Sequence, residues 1–447
     1  MTMIEQVAAA LQDVLSTIAQ HLGHETHFVQ RESKLGGAYF VQTLVFTYLA
    51  NPDATLDELT QTAAALGVEI TPSGLTQRFT QAAATLLQDV LAAAVQRLLA
   101  ADPLAIPLLE RFAGVFLEDS TVIVLPEALR ELWPGCGTAG EHGSAALKVN
   151  LRVDLCTGVL AGLSLHAGRV QDRTAAEPLS SLPAGALYLA DLGYFSLERL
   201  LQISEQAYFF SRLQVQTAVF DADGRRWEDL AALLEAHGPR VELPVTLGVR
   251  QRLPVRLLAI RVPQEVADQR RRRLRTAARR KGQAVSARRL ALADWTIFVT
   301  NAPRALLTLE AAVVLGRARW QIELLFKLWK SHGQIDESRS TKAWRVLGDV
   351  YAKLLAMIVQ HWVALIVQHW VALISLWGYP DRSLVKAAKT VQKYALQLVS
   401  GLWSHERTKE TLEVIARCLL AGCRMNQRKK HPNTYQLLLA VTEYALA

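Results

Sequence analysis

The chain has 447 residues, 51% hydrophobic and 20% charged. That length and balance give a folded protein of roughly two to four domains, at about 100–200 residues each, and exclude disorder and fibrous repeats. The net charge is +8, yet residues 270–289 (RRRRLRTAARRKGQAVSARR) hold ten Lys/Arg and no acid, so the remainder carries −2. A local patch of this kind attracts a polyanion, of which nucleic acid is the usual one, although a solvated charged helix or loop also fits the run by itself.

Cys136, Cys156, Cys418 and Cys423 show neither Cys-x2-Cys nor paired histidines, so they read as reduced thiols rather than a zinc site or disulfide scaffold. The opening MTMIEQVAAALQDVL lacks a basic segment followed by an apolar one, and a secretory signal is not expected. Residues 1–104 are Ala/Leu/Gln-rich with helical periodicity. Thr55-Leu56-Asp57-Glu58 has the capping-box pattern, opening a helix that Gly67 closes, and Thr71-Pro72 opens a second. Two short helices around such a turn suggest a helix-turn-helix with Gln77, Arg78 and Gln81 available to a DNA groove; a plain helical hairpin gives the same pattern.

From about Leu109 the texture changes to short Val/Leu/Ile runs between turn residues. Strands are expected at 115–125, 146–155, 158–168 and 186–195, with Thr157-Gly158 as a hairpin turn, then at 207–212, 216–220, 240–249, 253–262 and 294–300. After Leu306 the pattern is helical nearly to the end. IVQHWVAL at 358–365 repeats at once as 366–373, and inside a helix those eight residues add about 12 Å and about 80° of rotation. The apolar stretch 354–378 also raises a membrane span, but Gln360, His361, Gln368 and His369 fall inside it, and a buried helix is the preferred reading.

The chemistry concentrates in three places. In GRARWQIELLFKLWKS (316–331), helical spacing puts Arg319, Glu323, Lys327 and Lys330 within roughly an 80° arc, with Leu324, Leu325 and Leu328 facing away. Alone this is also what a salt-bridged surface helix looks like. Asp119, in FLEDST, and Asp191, in LADLGY, each lie beside a strongly apolar strand, where an uncompensated acid is costly. Three carboxylates converging at a sheet edge could hold two Mg2+ ions, the arrangement that activates an attacking oxygen and stabilises a leaving one in phosphoryl transfer.

This set resembles the DDE transposases of bacterial insertion sequences, in the branch whose third-acid helix reads Tyr-x2-Arg-x3-Glu-x6-Lys. Arg319-x3-Glu323-x6-Lys330 stands in register, the first acid is followed by Ser/Thr and apolar residues in EDSTVIVLP, and the second by x-Gly-aromatic in Asp191-Leu192-Gly193-Tyr194. The resemblance, over roughly residues 109–345, implies an α/β protein with a ribonuclease H-like catalytic core and a β-rich insertion, flanked by helical N- and C-terminal regions. The organisation it implies is a DNA-binding domain at 1–104, the first part of the core at 105–201, the insertion at 202–289, the second part of the core at 290–345 and a C-terminal helical region at 346–447.

It further implies metal-dependent cleavage at the element's ends and strand transfer into target DNA. Asp119, Asp191 and Glu323 are then the ligands of two Mg2+ ions, with Mn2+ as a substitute, and Arg319, Lys327 and Lys330 the phosphate contacts. Arg212 matches a family arginine that contacts DNA. Trp295 matches a tryptophan that stacks on a flipped base, and reads equally as an ordinary core tryptophan. The implied partners are double-stranded DNA, as terminal inverted repeats and target, and a second copy of the chain; the implied location is the bacterial cytoplasm, at the nucleoid. Two departures stand out: Gly316 replaces the signature tyrosine, and the octamer is duplicated. Either is compatible with a DNA-binding remnant or repressor whose chemistry is impaired.

Overall fold

The computed structural model describes residues 1–31, 34–103, 106–136, 145–280, 282–366 and 383–423, together with 438 and 441. The chain forms two compact units, neither continuous in sequence. The first comprises Met1–Leu104, Asp119–Gln171 and Trp320–Gln436; the second comprises Ala105–Glu118, Asp172–Arg319 and Leu437–Ala447.

The described residues form nine strands: β1 (Val115–Leu125), β2 (Ala145–Asp154), β3 (Leu160–Ala167), β4 (Leu187–Ala190), β5 (Tyr208–Arg212), β6 (Val219–Phe220), β7 (Arg240–Leu247), β8 (Leu253–Arg261) and β9 (Trp295–Thr300). Each falls within an expected run, apart from Ala145 one residue before its own, because β-branched and aromatic residues bounded by turn residues give a strong local signal. The run expected at 186–195, however, is strand only over Leu187–Ala190 and turns at Leu192–Tyr194. Within the second unit the order is β1-β4-β5-β9-β8-β7-β6. β1, β4 and β5 are parallel, and from β5 onward the neighbours are antiparallel, so the sheet is mixed. In the first unit β2 and β3 form an antiparallel hairpin whose turn passes through Gly158 at φ 71°.

The helices of the first unit bury apolar faces on one another. Helix Gly37–Ala50 is buried along almost its whole length, and helix Ala343–Leu365 is buried from Arg345 onward. Thr55 caps helix Leu56–Ala65, with Glu58 completing the capping box, and Thr71 caps helix Pro72–Gln77 by accepting from the Gly74 N–H at 3.1 Å. Of the three residues offered to a DNA groove, Gln77 and Gln81 are exposed. Arg78 is committed elsewhere: its guanidinium donates to the carbonyls of Phe28 and Leu35, both at 3.3 Å, and lies 4.3 Å from the Phe28 ring centroid.

Among the described residues no helix is long and apolar enough to cross a membrane. The first octamer copy closes helix Ala343–Leu365, whereas its repeat, beyond Ile366, lies outside the described residues. The basic run becomes the helix Gln264–Arg280 and a short helix Ala287–Ala291.

Candidate active site

β1 turns from buried to accessible partway along. Val115–Glu118 are buried and Asp119–Thr121 are half-buried, which brings Asp119 to a surface while Glu118 stays inside. The two adjacent acids therefore differ in kind. Glu118 is 0% exposed, accepts the Glu177 N–H at 2.6 Å, and lies 3.7 Å from the guanidinium of Arg199. Asp119 accepts the Ser120 N–H at 2.8 Å and lines a cavity of about 690 Å3 in the first unit.

Glu323 lines the same cavity. It sits half-buried in the first turn of helix Trp320–Ser331, whose Leu325 and Leu328 face the core; Leu324 is half-buried. Lys327, Lys330, Asp336 and Glu337 complete the acidic and basic lining. Lys330 donates to the Val122 carbonyl at 3.0 Å and lies 3.5 Å from the Asp336 carboxylate, so it ties β1 to the turn beyond the helix. Lys327 is exposed, its ammonium 4.8 Å from the Trp320 ring centroid. Arg319 belongs to the second unit, where it caps helix Leu309–Ala318 with helical backbone angles. The expected helix from 316 to 331 is thus two hydrogen-bonded segments, meeting at Arg319.

Asp191 ends β4 in the second unit. It is exposed and precedes a tight turn, Leu192–Tyr194. A Cβ at Gly193 would lie 2.4 Å from the Asp172 carboxylate, which would have to move aside. Asp191 shares a small recess with Arg212, Phe298, Gly316 and Arg319. At Gly316, a Cβ would meet Phe298 at 2.7 Å; the β9 ring fills the space beside the glycine.

Trp295 is 4% exposed at the start of β9 and borders a cavity of about 720 Å3, also in the second unit, together with Arg212, Arg270, Arg273 and Arg289. Sequence reasoning gave Arg270 only a place in a basic run. Its guanidinium in fact donates to the carbonyls of Trp295 at 2.9 Å and Ala293 at 3.4 Å and to the Thr296 hydroxyl at 2.8 Å. Burial, followed by the nearby Arg212 charge, lowers the Arg270 pKa. Arg271 pairs with Asp268 and Asp294, while Arg272, Arg275 and Arg279 are exposed.

The possible metal donors lining the first unit's cavity are oxygens, the carboxylates of Asp119, Glu323, Asp336 and Glu337 and the hydroxyls of Ser120, Thr121 and Ser331, beside the Lys327 and Lys330 ammoniums. That donor set suits a hard divalent cation and not a thiophilic one. Among the described residues no group of three or more His, Cys, Asp or Glu side chains is gathered closely enough to hold a metal ion.

Residues 110–359, a stretch containing all three acids, match the family described as transposase DDE domain. The chain belongs to this family of bacterial insertion-sequence transposases, and is an enzyme that acts on DNA. Among similar proteins, the transposase for insertion sequence element IS231B of Bacillus thuringiensis subsp. berliner is 27% identical over 367 residues, covering 77% of this chain and 76% of its own. The transposase for IS231F of Bacillus thuringiensis subsp. israelensis is 26% identical over 76% of each chain, and that for IS1151 of Clostridium perfringens is 24% identical over 76% of each. Divalent-metal dependence accompanies the DDE domain.

Proposed function

We propose that this transposase moves its element by cut-and-paste, cleaving at terminal inverted repeats and joining the freed 3′ ends to target DNA. Asp119, Asp191 and Glu323 are the metal ligands, and two Mg2+ ions, replaceable by Mn2+, are the cofactor. The observation that carries the reading is the meeting of Asp119 and Glu323, far apart in sequence, in one cavity with Lys327 and Lys330. Divalent ions held by such carboxylates lower the barrier by activating the attacking oxygen and stabilising the leaving one.

The chain's own groups then bind and orient the DNA. Lys327 and Lys330 bring positive charge to the cavity for the phosphodiester, and Arg319 and Arg212 do so beside Asp191. Trp295 borders an arginine-rich cavity but is 4% exposed, so stacking of an unpaired base on its ring, which would contribute about 1–3 kcal/mol, requires the ring to be uncovered when DNA binds. The parallel β1-β4-β5 arrangement and the β2–β3 hairpin support a ribonuclease H-like core, and β6, β7, β8 and the basic helix an insertion between second and third acids. On this reading residues 1–104 bind DNA, 105–201 and 290–345 form the core, 202–289 are the insertion, and 346–447 are a helical extension. The enzyme works in the bacterial cytoplasm, at the nucleoid, as a homodimer bridging two double-stranded ends.

The test is nicking and strand transfer on DNA carrying the element's inverted repeats, with Mg2+ or Mn2+. Wild type should cut, and Asp119→Ala and Glu323→Ala should fall to background while binding the same DNA. Variants that cut like wild type remove the assigned acids. Binding without cutting by all three proteins identifies a catalytically impaired remnant.

A further inference from the structure

The cavity shared by Asp119 and Glu323 has one wall formed by the turn after helix Trp320–Ser331, where Asp336 and Glu337 line it. This turn reverses through Gln334 at φ 44° and buries Ile335 completely. Its anchors come from helix Ala343–Leu365. Lys353, 3% exposed, donates its ammonium to the Gln334 carbonyl at 3.1 Å and to the Glu337 carbonyl at 2.7 Å. One helical turn earlier, Asp349, 2% exposed, accepts from the Ser338 hydroxyl at 2.7 Å.

The other Asp349 oxygen accepts from Tyr48 at 2.5 Å and from Arg345 at 2.8 Å, and Arg345 also donates to the Tyr48 oxygen at 3.0 Å. The Lys353 ammonium lies 5.2 Å from the Tyr48 ring centroid. Two cations and one carboxylate are thus buried together, an arrangement costly in desolvation and weak as a device for stability alone. Among the described residues, the side-chain hydrogen bonds that leave this cluster go to residues 334–338. That turn in turn sets Asp336, which lies 3.5 Å from Lys330 on the helix of Glu323.

We propose, resting on the reading of this cavity as the catalytic centre, that Lys353 and Asp349 are positioning residues. They hold the turn so that Asp336, Lys330 and the helix of Glu323 keep one geometry, and Tyr48 joins the N-terminal helical region to the same cluster. A displacement of about 1 Å at a reacting centre costs on the order of 10²-fold in rate, so loosening the turn should be read in cleavage rather than in DNA binding.

The experiment uses the full chain with Lys353→Met, Lys353→Arg and the milder Ser338→Ala, which deletes a single hydroxyl. Amide hydrogen exchange over 332–340, affinity for inverted-repeat DNA and single-turnover cleavage are measured. Lys353→Met should raise exchange in that segment and slow cleavage by about 10²-fold, with affinity changed less than about threefold. Ser338→Ala should move both the same way by less, and Lys353→Arg should restore much of both. Unchanged exchange at 332–340 overturns the anchor. Exchange raised evenly through both helices by Ser338→Ala as well as Lys353→Met shows a role in general stability and overturns positioning. Local loosening with unchanged cleavage overturns the catalytic consequence. A wild type that does not cleave overturns the centre itself, and exchange then decides the anchor independently.

Discussion

Gly316 is the residue at which sequence pattern and structure pull apart. Against the family signature the glycine reads as a missing tyrosine, and restoring it suggests itself as a repair. The structure gives the opposite expectation, because the Phe298 ring stands 2.7 Å from where a Cβ would be. Gly316→Tyr should destabilise the protein by about 1–3 kcal/mol, the usual cost of overpacking a filled site. Urea unfolding of Gly316→Tyr, Phe298→Ala and the double variant checks this: the two changes should be strongly non-additive, with the double variant recovering much of the loss. Simple additivity would mean that the ring and the new side chain do not compete. The sequence identified the departure but could not identify its neighbour, since β9 meets this helix only through the fold. Arg78 makes the same point: its place after a capped helix was legible, while its bonds to the Phe28 and Leu35 carbonyls were not.

At the scale of elements, most of the architecture was readable. The strands lay where apolar runs stood between turn residues, and the capping box at Thr55 opens its helix as the side chains require. What local pattern could not settle was which acid of Glu118-Asp119 faces the solvent side of β1. Alternation places successive side chains on opposite faces, and the observed register buries Glu118 against Arg199. Arg199→Met should therefore cost about 3–5 kcal/mol in chemical denaturation, because it removes a cation 3.7 Å from a fully buried carboxylate. The double change Glu118→Gln with Arg199→Met should cost less than the single one. Equal losses would show that packing of the arginine stem, not the charge pair, holds this part of the second unit. The end of helix Leu309–Ala318 was equally illegible, since Arg319 keeps helical backbone angles and no proline announces the end.

At the scale of the whole molecule, the division into two units escaped the sequence altogether. Each unit gathers segments separated by more than a hundred residues, and such long-range contacts leave no periodic trace. The first octamer copy illustrates how a locally ambiguous apolar stretch acquires its meaning from a distant partner. His361 is buried in helix Ala343–Leu365, and its Nε2 donates to the Gly158 carbonyl at 2.8 Å, at the β2–β3 turn. Its Nδ1 is buried and has no hydrogen-bond partner among the described residues. A second proton would thus enter an apolar site, and burial lowers the pKa to about 4, from 6.5. The folded state then binds fewer protons than the unfolded chain between these values, so this group's contribution to stability is full above pH 6.5 and declines as pH falls toward 4. The decline amounts to roughly 3 kcal/mol. Carboxylates also titrate in this range, so the informative quantity is the difference between wild type and His361→Gln in urea unfolding at pH 7, 5.5 and 4.5. Wild type should lose stability relative to the variant at each step down. A difference that stays constant with pH would show that the ring is not held neutral against Gly158, and that the first octamer copy is packed differently.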